Sequence, residues 1–223
     1  MNPFLLLCVF SLTSVQAGHV HGGSASDAAT YEAVTGDSAD EGREVWDSFY
    51  KTKANAYGKE PVDFLKDRIN EIKKGRAFLP AMGEGRNAIF LAKKGFNVEG
   101  NDLSETAVNR AIDEAKAQGV SIKAAVADLN QYRYPENYYD FVFVSLFYSA
   151  DLMPKFKRSL KKGGYLMLYN RLNTGHPSQK SSPDDFLVKS TELKAALKDF
   201  QIKVFKEYKD HGLDVVGVLA RKL

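Results

Sequence analysis

From Trp46 onward, apolar positions recur in two rhythms, one helical and one extended. Val62, Leu65, Ile69 and Ile72 fall three or four apart and predict an amphipathic helix over 61–73, with Pro61 in its first turn. Residues 77–82 (AFLPAM) form a short apolar run suited to a buried strand. Residues 86–94 read as a helix closed by Gly95, a residue that tolerates the left-handed position after a helix end. Residues 96–101 read as a strand. Ser104 is then a cap for a helix reaching about Gln118, with Ala107, Val108, Ala111, Ile112 and Ala115 on one face and Gly119 ending it. Strands are predicted over 122–127, 139–145 and 165–170, and a short helix over 154–161 stopped by Gly163-Gly164. A helix over 191–200 precedes two strands, 201–209 and 213–222, joined by Asp210-His211-Gly212.

Strands alternating with helices imply βαβ units and a mainly parallel sheet. The short joint between the last two strands forces that pair antiparallel. The expectation is an α/β fold, a three-layer sandwich whose mostly parallel sheet has an antiparallel C-terminal strand.

Upstream of Trp46 these rhythms fade. Residues 1–17 (MNPFLLLCVFSLTSVQA) carry no charge and end in small residues suited to signal peptidase, so they read as a signal peptide lacking a basic n-region. Export, periplasmic or secreted, follows from that reading; a cytoplasmic location follows if the start or the signal is misread. Cleavage after Ala17 would remove the only cysteine, Cys8, and with it any disulfide. Residues 18–45 are rich in Gly, Ala, Ser and Asp and read as a flexible linker. His19 and His21 lie in this tail, and no metal is assigned to them. The domain proper is expected over 46–223.

Composition narrows the function. The chain has 223 residues, 44% hydrophobic and 26% charged, with 31 Lys+Arg against 28 Asp+Glu. That length and balance fit one globular domain with short extensions. A net charge of +3 does not point to nucleic acid. Lys155, Lys157, Arg158, Lys161 and Lys162 cluster near the short helix, but no aromatic residues interleave them as base-stacking platforms, so they read as a solvated helix face. No apolar run reaches the 18 residues of a membrane span.

The candidate chemistry sits at strand ends. Gly83-Glu84-Gly85-Arg86-Asn87-Ala88 lies between the first strand and its helix, where a doubly wound fold binds its cofactor. Gly83 and Gly85 would let the backbone approach a ligand. Asp102, nineteen residues after Gly83, ends the second strand and could accept hydrogen bonds from ribose hydroxyls. Asp128 ends the third strand. Together the three features point to a nucleoside-containing cofactor. Gly83-x-Gly85-x-x-Ala88 also satisfies the nicotinamide-dinucleotide fingerprint, although that reading leaves Asp128 and the final hairpin without a role.

The run AMGEGRNAIFLAKKGFNVEGNDLSETAVNRA (81–111) resembles the class I S-adenosylmethionine-dependent methyltransferases, in particular the tellurite-resistance type. The resemblance extends over Trp46-Asp47-Ser48-Phe49-Tyr50, Tyr57-Gly58-Lys59-Glu60-Pro61, VADLNQY (126–132), YYDFVFVSLF (138–147) and LKKGGYLMLYN (160–170). It implies a Rossmann-like sheet with S-adenosyl-L-methionine as cofactor. By that resemblance Ala81, Met82, Gly83 and Gly85 would wrap the methionine part of the cofactor. Asp102 would hold the ribose, with Leu103 on the adenine. Asp128 would bond the adenine amino group beside Leu129, and Ser145 would border the methyl-transfer face. Trp46 and Tyr57 would belong to an N-terminal segment covering the cofactor. Two positions depart from the family: Leu79 stands where an acidic residue is usual, and Ala81 where a glycine is usual. Pro80 also falls in an expected central strand, where it would remove a ladder donor.

The implied reaction is transfer of a methyl group to a small-molecule acceptor by in-line displacement. Such a reaction needs alignment more than a catalytic base, so no catalytic residue is assigned. His176 and His211 have no evident partner in the sequence. The acceptor is expected above the fourth and fifth strands, near Tyr148, Tyr169, Asn170 and Arg171, in a monomer or weak homodimer without nucleic acid. Two other readings remain open at this point: an NAD(P)-dependent oxidoreductase, and an exported, non-catalytic nucleoside-binding protein.

Overall fold

A computed structural model describes residues 39–175 and 186–223 of the chain. The signal-peptide reading, residues 18–38 of the predicted linker, and His19, His21 and His176 lie outside the described residues.

Among the described residues seven strands form one sheet: β1 (Arg76–Leu79), β2 (Asn97–Asp102), β3 (Lys123–Val126), β4 (Tyr139–Ser145), β5 (Leu160–Arg171), β6 (Phe200–Asp210) and β7 (Leu213–Lys222). Their spatial order is β3-β2-β1-β4-β5-β7-β6. The first five pair in parallel, and β7 runs antiparallel to both β5 and β6. The order reverses between β1 and β4, so the rim above that pair is the topological switch point, where ligands of open α/β sheets bind.

The helices are α1 (Ala39–Thr52), α2 (Asp63–Arg68), α3 (Arg86–Lys93), α4 (Glu105–Ala117), α5 (Met153–Ser159) and α6 (Ser190–Ala196). They cover both faces of the sheet. Because side chains alternate along a strand, β4 sends Phe141 and Phe143 to one layer and Val142 and Val144 to the other. On one face these rings meet Phe64 and Leu65 of α2, Leu91 of α3 and Val108 of α4. On the other the valines meet Phe156 of α5 and Leu193 of α6. A sheet covered on both faces is the three-layer sandwich expected from the sequence.

Several boundaries differ from expectation, each for a local reason. The predicted linker ends early, because α1 begins at Ala39 with Asp40 and Glu41 in its first turn, where carboxylates favour the helix N-terminus. The helix expected over 61–73 is shorter, since Val62 is extended (ψ 132°) and a single 3-10 turn over Ile69–Glu71 follows α2. Pro80 follows the last residue of β1, so its missing N–H takes no bond from the ladder. The helix expected to reach Lys161 stops at Ser159, and Gly163-Gly164 lies inside β5 rather than ending a helix. The β4–β5 register shifts between Tyr139 and Phe141. A Cβ on Gly164 would lie 2.9 Å from the Lys161 carbonyl oxygen and 3.1 Å from that of Asp140, so the irregularity requires glycine there. At the final hairpin His211 (φ 48°) and Gly212 (φ 81°) both take the left-handed conformation that a two-residue turn needs.

Candidate functional site: a glycine loop and two strand-end carboxylates

The loop after β1 is built on backbone conformations that favour glycine. Ala81 (φ 49°), Gly83 (φ 57°) and Gly85 (φ 81°) are all left-handed. Ala81 therefore holds, as a strained alanine, a conformation that glycine adopts freely. The turn is closed by Met82 N–H donating to the Asn101 carbonyl (3.0 Å) and Gly85 N–H to the Met82 carbonyl (3.2 Å). Met82 does not plug the loop: its sulfur packs over Gly100, where a Cβ would lie 2.5 Å from Sδ.

Asp102 ends β2 and is only 7% exposed. Its Oδ2 accepts from Gly83 N–H at 2.8 Å, and its Oδ1 from Ser104 N–H at 3.0 Å. Burial raises its pKa above the ordinary carboxylate value, against the opposing pull of the Ser104, Gly83 and Leu103 amides. Asp128 Oδ1 accepts from Asn130 N–H at 2.9 Å, and the Asp128 carbonyl accepts the N–H groups of Gln131 and Tyr132, fixing the loop beyond β3.

These elements share one rim and open on a cavity of about 1000 Å³. Its wall includes Trp46, Tyr57, Ala81, Met82, Gly83, Asp102, Leu103, Asp128, Leu129, Ser145 and Tyr148. Gly85, expected to approach the ligand, is not on that wall. A Cβ there would lie 2.7 Å from Cβ of Ala111, so this glycine serves the contact between the loop and α4. Tyr169, Asn170 and Arg171 are also absent from the wall: Tyr169, level with Ser145 in the β4–β5 register, packs into the core, and the two residues beyond it remain paired with β7. The Tyr169 hydroxyl bonds Asp210, and Asn170 Nδ2 donates to the Phe147 carbonyl at 2.8 Å. His211 is exposed in the hairpin turn, its Nδ1 2.8 Å from Asp210 Oδ1.

The N-terminal segment is fastened over the cavity by residues that sequence reasoning left without roles. Asp47 of α1 accepts from the Ser104 hydroxyl and from Thr106 N–H (3.0 Å). Arg110 reaches from α4 to the Tyr50 carbonyl (2.6 Å) and to Glu84 (3.0 Å), and Glu84 accepts from Ala56 N–H at 3.3 Å. Arg86 donates to the carbonyls of Tyr57 and Glu60. Asn87 Oδ1 accepts from Val62 N–H at 3.0 Å, which turns its Nδ2 toward Ser145 Oγ at 3.2 Å. Ser145 Oγ is the acceptor in that pair, so its own O–H is left to turn toward the cavity. The signal for these roles was present in Glu84, Arg86 and Asn87, three polar residues between glycines and an apolar helix face.

Tyr50 completes the cover. Its hydroxyl lies over Gly83, where a Cβ would be 2.8 Å from it. Burial, then the charges of Asp102 and Glu84, raise its pKa well above the ordinary phenol value; burial and Asp102 do the same for Tyr57. Both phenols are therefore neutral at physiological pH. The basic cluster is largely tied to neighbours: Lys155 to the Asn130 carbonyl, Lys157 to Asp199, Arg158 to Glu136 and Lys161 to Asp140. Among the described residues no group of His, Cys, Asp or Glu is arranged to hold a metal ion, and no helix is long and apolar enough to cross a membrane.

Residues 80–164, which span the glycine loop, both carboxylates and Ser145, match a family model described as a methyltransferase domain. Over 151 residues the chain is 29% identical to a protein of Eikenella corrodens named Hemagglutinin 1, covering 64% of this chain and 49% of that one. Over 132 residues it is 26% identical to the "Probable S-adenosyl-L-methionine-dependent methyltransferase TehB" of Haemophilus influenzae, covering 56% of this chain and 46% of that one. The chain thus spans about half the length of the curated relatives it matches. The crystal structure of TehB from Haemophilus influenzae has the same fold, with a TM-score of 0.65 at 21% identity over 80% of this chain and 67% of that one. The chain therefore shares the fold of the TehB structure and, over residues 80–164, is similar to a methyltransferase domain, with the glycine loop, Asp102 and Asp128 on one rim of the sheet.

Proposed function

We propose that this protein transfers the methyl group of S-adenosylmethionine to a small-molecule acceptor by in-line displacement. The observation that carries the reading is the bond from Gly83 N–H to Asp102, which locks the glycine loop and the strand-end carboxylate into one cradle. The residues present suit the cofactor. Asp102 is an acceptor held in place by two amides, with further lone pairs for ribose hydroxyls. Leu103 and Leu129 offer apolar surface for a base, and Asp128 stands beside them on the same wall. When bound, S-adenosylmethionine supplies a methyl group on a cationic sulfur that departs as a neutral thioether.

The protein's part in the reaction is alignment and exclusion of water. Trp46, Tyr50 and Tyr57 roof the cavity, and the neutral phenols add no charge that would compete with Asp102. The Ser145 hydroxyl offers a donor above β4, between the loop and the remainder of the cavity. We also propose that the chain is exported as its first 17 residues suggest and works as a monomer or weak dimer; the mass of the mature N-terminus tests the first point and light scattering the second.

Thermal shift against S-adenosylhomocysteine and NAD tests the central claim. At 100 times its dissociation constant a ligand stabilises by about 2.7 kcal/mol. Stabilisation by S-adenosylhomocysteine, with label passing from methyl-labelled cofactor to an acceptor, is the expected result. Stabilisation by NAD alone, or by neither, would overturn it.

A further inference from the structure

The cavity reaches well past the adenosyl end of the rim. Leu103, Asp128 and Leu129 follow β2 and β3, whereas Ser145, Phe147 and Tyr148 end or follow β4. Neighbouring strands lie about 4.8 Å apart, and β2 and β1 stand between β3 and β4, so the two ends of the cavity are separated by about 14 Å. A volume of about 1000 Å³ is at the upper end for a small-molecule site. The β4 end is therefore a second compartment.

Its wall is a continuous series of rings drawn from three separate parts of the chain. Tyr50 and Trp46 of α1 stand 6.1 Å apart at 34°. Trp46 meets Phe186, ahead of α6, at 6.0 Å and 73°. Phe186 meets Phe147, beyond β4, at 5.9 Å and 45°. All four line the cavity. The main chain of Phe147 is fixed from below by Asn170, which is fully buried and donates to its carbonyl. Ring faces attract another ring through offset or edge contacts beyond what area burial supplies. They offer nothing to replace the hydration of a small inorganic ion. The hydrogen-bond network places the Ser145 hydroxyl at this end as a directional donor.

We propose that the methyl acceptor is a flat aromatic molecule, seated against the Trp46–Phe186–Phe147 wall with its nucleophilic atom at the edge beside Ser145. This inference rests on the methyltransferase reading and specifies its substrate class. With a thiol as acceptor, the proton leaves to water beforehand. The thiolate pair then forms the bond to the methyl carbon as the carbon–sulfur bond of the cofactor breaks, its pair passing to that sulfur, so that two neutral thioethers result.

Trp46 is the only tryptophan of the chain and sits in the wall, so its fluorescence reports occupancy directly. The full chain, saturated with S-adenosylhomocysteine, is titrated with 2-naphthalenethiol and with cyclohexanethiol, and turnover with S-adenosylmethionine is measured for both thiols and for selenite. The expected result is saturable Trp46 quenching with at least tenfold tighter binding of the naphthalene thiol, and the highest kcat/KM for it. Phe147→Leu and Phe186→Leu keep apolar volume but remove the ring face. Each should weaken the naphthalene thiol at least fivefold and leave S-adenosylhomocysteine affinity within twofold. Equal affinity for the two thiols, a higher kcat/KM for selenite, or a matching loss of S-adenosylhomocysteine binding in the ring variants would overturn the proposal. Failure of the unaltered protein to bind S-adenosylhomocysteine at all would instead remove the methyltransferase reading beneath it.

Discussion

Gly83 and Asp102, nineteen positions apart in the chain, are joined by a 2.8 Å hydrogen bond from the glycine amide to the carboxylate. That bond couples the shape of the loop to the ionisation of the acid. Asp102→Asn keeps the volume but turns an NH2 group toward one of the two amides the carboxylate accepts from. It should lower unfolding stability by about 1–3 kcal/mol, the cost of an unsatisfied buried donor, and weaken S-adenosylhomocysteine at least tenfold. Urea unfolding and calorimetric titration check the two effects. The pH dependence has a definite sign. Burial lifts the Asp102 pKa above its ordinary 3.8, and hydroxyl donors bind the ionised form. Cofactor affinity should therefore begin to fall, as pH is lowered, before an ordinary carboxylate would protonate, and the Asn variant should lose this trend.

Gly83 faces a double constraint, a left-handed backbone and the Tyr50 hydroxyl. Gly83→Ala should cost about 1–2 kcal/mol from backbone strain alone, plus a steric part. Adding Tyr50→Phe leaves the nearest ring atom of residue 50 3.6 Å from the new Cβ, an ordinary contact. The double variant should thus be more stable than the sum of the single ones predicts. A double-mutant cycle by thermal unfolding measures this coupling.

Ala81 offers the opposite test. It holds φ 49° with a Cβ in place. Ala81→Gly should raise stability by about 1 kcal/mol, the release of left-handed strain less the extra flexibility of the unfolded glycine. A melting temperature that fell would show that the Cβ makes a contact worth more than the strain.

Asn87 joins the N-terminal cover to the rim through Val62 and Ser145. Asn87→Ala leaves the Val62 amide without its acceptor and should cost about 2 kcal/mol. Faster hydrogen exchange at the Val62 amide than across β4 would locate the loss at the cover.

Asp140 ties the start of β4 to β1, accepting from Arg76 N–H (2.8 Å) and Lys161 Nζ (2.7 Å). Burial pushes its pKa up, but these donors outweigh it, and the value falls below 3.8. A depressed carboxylate contributes stability above its unfolded pKa and loses it as pH falls through the folded one. Asp140→Asn should cost about 1 kcal/mol at neutral pH, a figure kept small by partial exposure. The difference should vanish once both states are protonated, which denaturation midpoints at neutral and strongly acid pH would show.

Much of this architecture was legible because the signals are local. Ser104 caps α4 by accepting from Ala107 N–H, and Gly95 and Gly119 take left-handed positions beyond their helices, as their side-chain chemistry suggests. The β4 segment is recognisable from a run buried on both faces. What could not be read depended on distant partners. Gly85 carries the same local signature as Gly83, and only the proximity of Ala111 shows that it packs against a helix rather than the cavity. Tyr169 and Arg171 do reach the level of the rim, but both stay paired with β7, and Tyr169 turns into the core to bond Asp210, which only the distant strands reveal. Gly163-Gly164 looks like a helix stop until the shifted β4–β5 register explains the pair.

In the sheet β7 lies between two strands that precede it in sequence: it separates β5 from β6 and is bonded to both. During synthesis, β5 has no neighbour on that side until Leu213–Lys222 have left the ribosome. The β6–β7 hairpin is local and can close early, but its docking onto β5 completes the sheet. Until β7 docks, β5 therefore presents an unpaired interior strand edge, an adhesive surface on an otherwise finished sheet.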